Sequence, residues 1–181
     1  MVEAAVRSPV RVVATRWLRV LPAVARFTFR GDASAQAAAG TCLGMALATV
    51  ACRAVTNGAR AALWLGPDEH LLIVPESEAT AFAADLAGAL GAQPHSLVDV
   101  SHRQVGLELS GPHAEWLLAA QCPLPLDASA FPVGMCTRTV FSKAEIVLWR
   151  TAPDTFHIEV WRSFSRYVVD LLTEIARELD R

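Results

Sequence analysis

The sequence has no excess of positive charge and no glycine-rich phosphate loop. It carries 16 Lys and Arg residues against 18 Asp and Glu, which gives a formal net charge of −2. A protein that binds nucleic acid needs clustered cations to neutralise the phosphates. Neither a Walker A loop nor a G-x-G-x-x-G turn is present, so the backbone cradle of a nucleotide site is missing. We therefore expect no nucleic acid among the partners of this chain.

Cysteine and histidine lack the spacing of a metal site. The four cysteines are Cys42, Cys52, Cys122 and Cys136, and no C-x-x-C pair occurs. The five histidines include no H-x-x-x-H or H-x-H arrangement. The sequence therefore predicts no bound metal and no cofactor held by these residues. Free thiols suit a reducing compartment, so we expect a cytoplasmic location.

Long hydrophobic runs are also missing. The one membrane-like stretch, Ala33–Cys52, has 20 residues without a charge. Alanine, glycine, serine and threonine make up most of it, and Gly40 and Gly44 interrupt it, so its hydrophobicity is too low to span a bilayer. Residues 1–10 lack the apolar run of a signal peptide. We expect a buried helix in this stretch, and no membrane association.

Apolar residues are nevertheless abundant, at 53% of the chain, while charged residues make up only 19%. This is enough for one substantial core, or for two small cores that share a seam. An excess of apolar surface favours burial against another subunit. Part of the excess is alanine, which is only weakly apolar, so composition leaves both interpretations open. We expect the isolated chain to be marginally soluble or to self-associate.

The chain contains an internal duplication, the feature that most restricts its fold. Gly31 and Gly111 end similar segments 80 positions apart, and Leu63-Trp64 matches Leu148-Trp149 at an offset of 85. Pro67-Asp68 then matches Pro153-Asp154 at an offset of 86. The offsets drift in one direction, as expected when the second copy has a few extra loop residues.

Each copy reads as strand, helix, two strands and helix. The first strands are Arg26–Arg30 and Gln104–Ser110, and the first helices are Ala33–Cys42 and a segment after Gly111. Hairpins follow at Ala61–Leu65 with His70–Val74, and at Ala144–Trp149 with Phe156–Trp161, each turning through Pro-Asp. Closing helices are predicted at Glu76–Leu90 and Ser163–Leu179.

These elements predict an α+β fold of two pseudo-repeated units with antiparallel sheets, each covered by helices on one face. The predicted division is an N-terminal extension at 1–20, a first half at 21–95 and a second half at 96–181. The halves are expected to pack as one unit, since neither has much core alone. Arg11–Val20 alternates enough to be an added strand.

Asp99, Ser101 and His102 contain the residue types of a hydrolase triad. Neighbours in a strand point to opposite faces, so Ser101 and His102 would face apart. No G-x-S-x-G elbow occurs anywhere in the chain. The sequence therefore predicts no catalytic residue.

Exposed tryptophan and arginine are typical contact anchors in protein interfaces. Trp161 stands beside Arg162 where the last strand meets the last helix. We take Trp161, Arg162, Arg103 and Arg138 as candidate partner-contact residues. Core packing remains an alternative for the tryptophan, and a solvated surface for each arginine.

Five segments, in order, resemble the gamma subunits of heterotetrameric sarcosine oxidase: Leu65–Leu72, Val98–Gln104, Ala130–Thr139, Lys143–Trp149 and Phe156–Phe164. The resemblance runs from about Leu21 to the end of the chain. It implies a fold related to the folate-binding aminomethyltransferases (T-proteins), which agrees with the duplication.

The resemblance also implies a subunit role. The family's oxidase converts sarcosine to glycine and a one-carbon unit while reducing oxygen to hydrogen peroxide. FAD, FMN and NAD are then expected on other chains, with alpha, beta and delta subunits as partners and alpha as the main contact. No catalytic residue is carried over to this chain, which is expected to stabilise the assembly.

Two alternatives remain at this point. The chain could be a stand-alone folate-binding protein of the T-protein group, with Asp99 or Glu145 as the carboxylate that holds the pterin. It could also serve a related amine oxidase that acts on another N-methyl amino acid, because substrate contacts would lie on other chains.

Overall fold

The structure is a computed structural model in which residues 15–180 are described. In this range the strands are β1 (Leu18–Val20), β2 (Val24–Gly31), β3 (Ala54–Asn57), β4 (Arg60–Gly66), β5 (Glu69–Pro75), β6 (His95–Asp99), β7 (Gln104–Ser110), β8 (Cys136–Phe141), β9 (Ala144–Ala152) and β10 (Thr155–Trp161). The α-helices are α1 (Ala33–Leu43), α2 (Ala79–Leu90), α3 (Ala114–Ala119) and α4 (Arg162–Ala176), and short 3₁₀ turns cover Glu76–Glu78 and Arg177–Asp180.

The strands form two five-stranded antiparallel sheets. The first sheet has the order β3-β4-β5-β2-β6, and the second has the order β1-β7-β10-β9-β8. The predicted α+β class with antiparallel sheets is confirmed. Strands β3, β6 and β8 were not predicted, since short or half-exposed strands carry a weak alternating pattern.

The predicted hairpins are present in both copies and are anchored in the same way. The backbone N–H of Gly31 donates to the carbonyl of Asp68 at 3.0 Å, and that of Gly111 donates to the carbonyl of Asp154 at 2.9 Å. Each bond ties the end of a repeat's first strand to the turn of its hairpin. The equivalence of the two bonds supports the duplication read from the sequence.

The alanine-rich stretch forms a short helix rather than a membrane span. Helix α1 begins after Asp32, whose side chain accepts a hydrogen bond from the N–H of Ala35 at 2.9 Å. It ends at Leu43 and is followed by Gly44, which has φ +73° in the left-handed region that favours glycine. No helix within residues 15–180 is long and apolar enough to cross a membrane.

The strand that precedes each repeat pairs with the other repeat. Strand β1 lies before the first repeat but pairs with β7, and β6 lies before the second repeat but pairs with β2. Val20 lies opposite Leu107, and Asp99 lies opposite Phe27. Phe27 and Leu107 occupy the same position in the two repeats, so the two strand pairs have the same register. The two repeats have therefore exchanged equivalent strands.

This exchange corrects the predicted division of the chain. The boundary between residues 95 and 96 falls at the start of β6, which belongs to the first sheet. Residues 18–20, assigned to an extension outside the repeat, form β1 of the second sheet. The rest of the predicted strand Arg11–Val20 falls mostly outside the described residues. Local sequence patterns could not reveal the exchange, because they contain no information on the pairing partner.

Each sheet buries both faces. One face of each packs under its own helices, in one cluster that includes Phe27, Phe29 and Leu86 and another that includes Leu107, Phe156 and Leu172. The opposite faces meet in a third cluster, the seam, which contains Ala61, Leu63, Leu71, Ile73, Val100, Cys136 and Val147. The order of layers is helices, sheet, sheet, helices, as expected for two half-domains that share a core.

Candidate partner-facing site

Three of the four predicted contact residues lie at one corner of the second sheet. Trp161 ends β10 and Arg162 begins α4, while Arg103 lies in the turn before β7. The N–H of Arg162 donates to the carbonyl of Arg103 at 2.7 Å. The guanidinium carbon of Arg103 lies 5.2 Å from the centroid of the Trp161 ring, a cation–π contact. Strand pairing explains this approach, because Trp161 lies opposite Gln104.

The fourth residue, Arg138, connects the two sheets at the same end of the molecule. It lies on the edge strand β8, and its Nη2 is 2.6 Å from Oε1 of Glu69 on β5 in the first sheet. Its Nε is 3.9 Å from Oε1 of Glu145 on β9. Arg138, Arg103 and Trp161 line one small cavity. The structure therefore gathers the four residues, while their contact with a partner stays a prediction.

Three exposed apolar side chains that the sequence analysis missed, Phe164, Tyr167 and Val140, lie at this end beside Trp161. Trp161, Phe164, Tyr167 and Val140 are 40%, 39%, 37% and 41% exposed, respectively. The hydroxyl of Tyr167 donates to Oγ of Ser142, in the turn between β8 and β9, at 2.9 Å. Single exposed apolar residues are ordinary, but several together mark contact surfaces.

We call this set the partner-facing surface: Val140, Trp161, Phe164 and Tyr167, with Arg103, Arg138 and Arg162 beside them. The helical period of α4 could have indicated that Phe164 and Tyr167 are exposed. The buried face of α4 is formed by Ser165, Val168, Val169, Leu172 and Ala176. Both aromatic residues fall outside that face while sharing an i,i+3 relation with each other.

A buried charge network lies behind the partner-facing surface. Arg26 of β2 in the first sheet and Glu159 of β10 in the second form an ion pair, with Nε to Oε2 at 2.6 Å and side-chain exposures of 3% and 0%. Nε2 of His157 lies 2.7 Å from the other oxygen, Oε1 of Glu159. Burial alone would raise the pKa of Glu159, but its hydrogen bonds and electrostatic interactions with His157 and Arg26 outweigh burial and lower the pKa. The carboxylate is therefore held ionised between the two sheets.

The residues of the possible triad do not form one. Ser101 is 1% exposed, and its Oγ accepts a hydrogen bond from the N–H of Arg26 at 2.8 Å. The N–H of Ser101 donates to Oδ1 of Asp99 at 2.8 Å. His102 is exposed, and its carbonyl accepts from Nε of Arg162 at 3.1 Å. These contacts stabilise the turn between β6 and β7, and they leave Ser101 without a base or access to substrate.

The carboxylates proposed for a pterin are poorly placed for one. The Glu145 side chain is 55% exposed. The cavity that it lines has a volume of about 20 Å³, which is room for about one water molecule. Asp99 is an exposed residue whose carboxylate is engaged in the turn described above. Within the described part of the chain, no group of three His, Cys, Asp or Glu residues could hold a metal ion.

Comparison with known proteins identifies the family. The sequence model of the sarcosine oxidase, gamma subunit family matches residues 30–178. The chain belongs to this family. It is 39% identical over 122 residues to the sarcosine oxidase subunit gamma of Corynebacterium sp. strain P-1, a match over 65% of this chain. That match spans 59% of the length of the Corynebacterium protein.

Solved structures support the same relationship. A chain of the heterotetrameric sarcosine oxidase from Corynebacterium sp. U-96, in complex with pyrrole 2-carboxylate, superposes with a TM-score of 0.85 at 29% identity, covering 94% of this chain and 89% of that one. The glycine cleavage system aminomethyltransferase T from Bartonella henselae superposes with a TM-score of 0.67 at 16% identity, over 86% of this chain and 44% of that one. The second likeness concerns the fold alone, and it confirms the T-protein-like architecture.

Proposed function

We propose that this chain is the gamma subunit of a heterotetrameric sarcosine oxidase, an assembly that oxidises sarcosine to glycine and reduces oxygen to hydrogen peroxide. Its role is to stabilise the assembly rather than to carry out the chemistry. FAD, FMN and NAD are bound by other chains in this proposal. The observation that carries it is the similarity, over 94% of the chain, to a chain of a sarcosine oxidase heterotetramer.

The local chemistry supports a structural role. The one triad-like set is engaged in a turn, and Glu145 lines a cavity with room for about one water. Arg26 and Glu159, both buried, are paired with each other across the two sheets. Their positions fix one sheet against the other.

The partner-facing surface is the region we assign to the contact with the alpha subunit. It combines half-exposed aromatic side chains with arginine, the residue types enriched in interface hot spots. Arg103 is exposed and rests on the ring of Trp161. A complementary partner would place apolar groups against Trp161 and Phe164, with a carboxylate at Arg103.

Co-purification tests the subunit role. The tagged chain is expressed with the genes of the other three subunits, and the eluate is assayed for flavin absorbance, subunit stoichiometry and sarcosine-dependent peroxide. We expect a stoichiometric flavin-containing complex that dissociates or loses activity when this chain is omitted. A chain that elutes alone and well folded, with a fully active oxidase formed by the other subunits, would contradict the proposal.

Paired variants test the surface. The double substitution Trp161→Ala and Phe164→Ala should reduce recovery of the partner subunits while leaving the Tm of the isolated chain nearly unchanged. Trp116→Ala is the matched control, because Trp116 is 44% exposed on α3, outside the partner-facing surface. If the double variant and Trp116→Ala reduce recovery of the partner subunits equally, the contact does not lie on the partner-facing surface.

A folate titration separates the alternative function. Tetrahydrofolate is titrated into the purified chain and followed by tryptophan fluorescence. The subunit proposal predicts no saturable binding, whereas a stand-alone folate-binding protein would bind at a single site. Assays with other N-methyl amino acids then distinguish sarcosine from related substrates of the whole assembly.

A further inference from the structure

Two cysteines lie opposite each other in a short backbone ladder where the two sheets meet at one edge. Arg53 and Met135 form an isolated antiparallel bridge between the segment before β3 and the segment before β8. The N–H of Cys136 donates to the carbonyl of Cys52, and the N–H of Ala54 donates to the carbonyl of Gly134, both at 2.9 Å. Cys52 and Cys136 are therefore opposite residues of a short ladder that joins the first sheet to the second.

This placement is compatible with a disulfide bond. Opposite residues in an antiparallel ladder have Cα atoms about 4.5–5.5 Å apart, and disulfides span about 4.4–6.8 Å between Cα atoms. Cys52 has φ +59°, a left-handed conformation that is uncommon for a residue other than glycine.

The two thiols differ in access and in reactivity. Cys136 is fully buried and its Sγ lies 3.6 Å from the carbonyl oxygen of Trp64, whereas Cys52 is partly exposed. Burial raises the pKa of the Cys136 thiol to about 12 and outweighs the hydrogen bond to the Trp64 carbonyl, which lowers it. Because Cys136 is buried and Cys52 is partly exposed, Cys52 is the thiol that a dissolved oxidant reaches first.

We propose that Cys52 and Cys136 form a reversible disulfide across the two sheets when the protein meets a hydroperoxide. The Cys52 thiolate attacks one peroxide oxygen, the O–O bond breaks, and a sulfenic acid and hydroxide form. The Cys136 sulfur then attacks the Cys52 sulfur, and the S–O bond breaks as the S–S bond forms. The thiol proton of Cys136 leaves with the departing hydroxide as water. Two thiols lose two electrons, and hydrogen peroxide becomes two waters.

The proposal rests on the proposed function only for the source of peroxide, which the oxidase would release close to this subunit. Its structural consequence does not depend on that source. The bond would link two positions 84 residues apart in sequence. A cross-link that closes a long loop restricts the unfolded chain, so the oxidised form should unfold at a higher temperature. It would also hold the first sheet to the second beside the seam.

The experiment exposes the purified full-length chain to hydrogen peroxide, blocks the remaining thiols with an alkylating reagent and maps the cysteines by mass spectrometry. We expect the number of free thiols to fall from the four present in the sequence to two. A peptide pair joined through Cys52 and Cys136 should appear, and dithiothreitol should reverse it. The Tm should rise on oxidation and return on reduction.

Two variants serve as controls. Cys52→Ser should abolish the cross-link and the rise in Tm, whereas Cys42→Ser, which removes another partly exposed thiol, should leave both unchanged. Over-oxidation of Cys52 without a cross-link, pairing of other cysteines, or no loss of thiols would each overturn the proposal. Added peroxide acts whether or not the chain assembles into an oxidase. The cross-link is therefore expected even if the chain proves not to be an oxidase subunit. Absence of the cross-link would likewise leave the proposed subunit function unaffected.

Discussion

Replacing Glu159 with glutamine removes one charge from the buried contact between the two sheets. The side chains of Arg26 and Glu159 are 3% and 0% exposed, with Nε and Oε2 only 2.6 Å apart. In Glu159→Gln the guanidinium keeps its burial but loses its counter-charge. Breaking a buried ion pair in this way costs about 3–5 kcal/mol. Domains are typically stable by about 5–15 kcal/mol, so we expect a large fall in the free energy of unfolding.

Urea unfolding followed by tryptophan fluorescence measures this change. Glu145→Gln is the matched control, because the Glu145 side chain is 55% exposed and 3.9 Å from Arg138, a contact worth about 0–1 kcal/mol. The double variant Arg26→Met with Glu159→Leu removes both buried charges, and we expect it to recover most of the lost stability. If Glu159→Gln destabilises no more than Glu145→Gln, the ion pair does not contribute as reasoned.

Three further predictions concern the same core. The pKa of Glu159 is lower in the folded protein than in the unfolded chain. Its contribution to stability is therefore present above the unfolded pKa of about 4.3 and is lost as the pH falls through the folded pKa. The difference in the free energy of unfolding between wild type and Glu159→Gln, measured in urea, should accordingly become smaller below about pH 4. A Cβ at Gly106 would lie 2.9 Å from Nη2 of Arg26, and one at Gly88 in α2 would meet nothing within 4 Å. Gly106→Ala should consequently destabilise the protein by about 1–3 kcal/mol, and Gly88→Ala should stabilise it by about 0.5–1 kcal/mol. Urea midpoints equal to that of the wild type would contradict both predictions. Arg150 is 4% exposed and donates to several loop carbonyls, so Arg150→Met should lower the Tm by leaving those acceptors unpaired, and an unchanged melting curve would argue against this role.

The repeat was predictable because its signals are local. Proline followed by aspartate marks both hairpin turns, and alternating apolar residues mark the strands on either side. Helix α1 was predicted to end at Cys42 and ends at Leu43, beside the glycine that terminates it. Each of these features depends on residues close together in the sequence.

The exchange of β1 and β6 was not predictable in this way. The sequence of β6, His95–Asp99, alternates weakly, and nothing in it indicates whether β2 or β7 is its partner. The pairing is decided by the three-dimensional arrangement of both repeats. The same limit applies to the buried pair of Arg26 and Glu159, which are 133 residues apart in sequence and meet only because the two sheets face each other.

The candidate surface was predictable in part. Trp161 and the neighbouring Arg162 were predicted because exposed tryptophan and arginine are typical contact anchors in protein interfaces. Phe164 and Tyr167 were not among the predicted contact residues, although the helical period places them outside the buried face of α4. Ser165 is 2% exposed. Placing it in the core on a helical wheel would have separated Phe164 and Tyr167 from the buried face of α4.

The buried ion pair sets the orientation of the two sheets. A buried salt bridge adds little net stability compared with apolar residues of the same volume. It does fix one relative orientation of the groups that it joins, and here these are β2 of the first sheet and β10 of the second. Strand β10 ends at Trp161, and the contact of Arg138 with Glu69 crosses between the same two sheets. The partner-facing surface therefore depends on the orientation of one sheet against the other, which the buried pair and the exchanged strands hold in place.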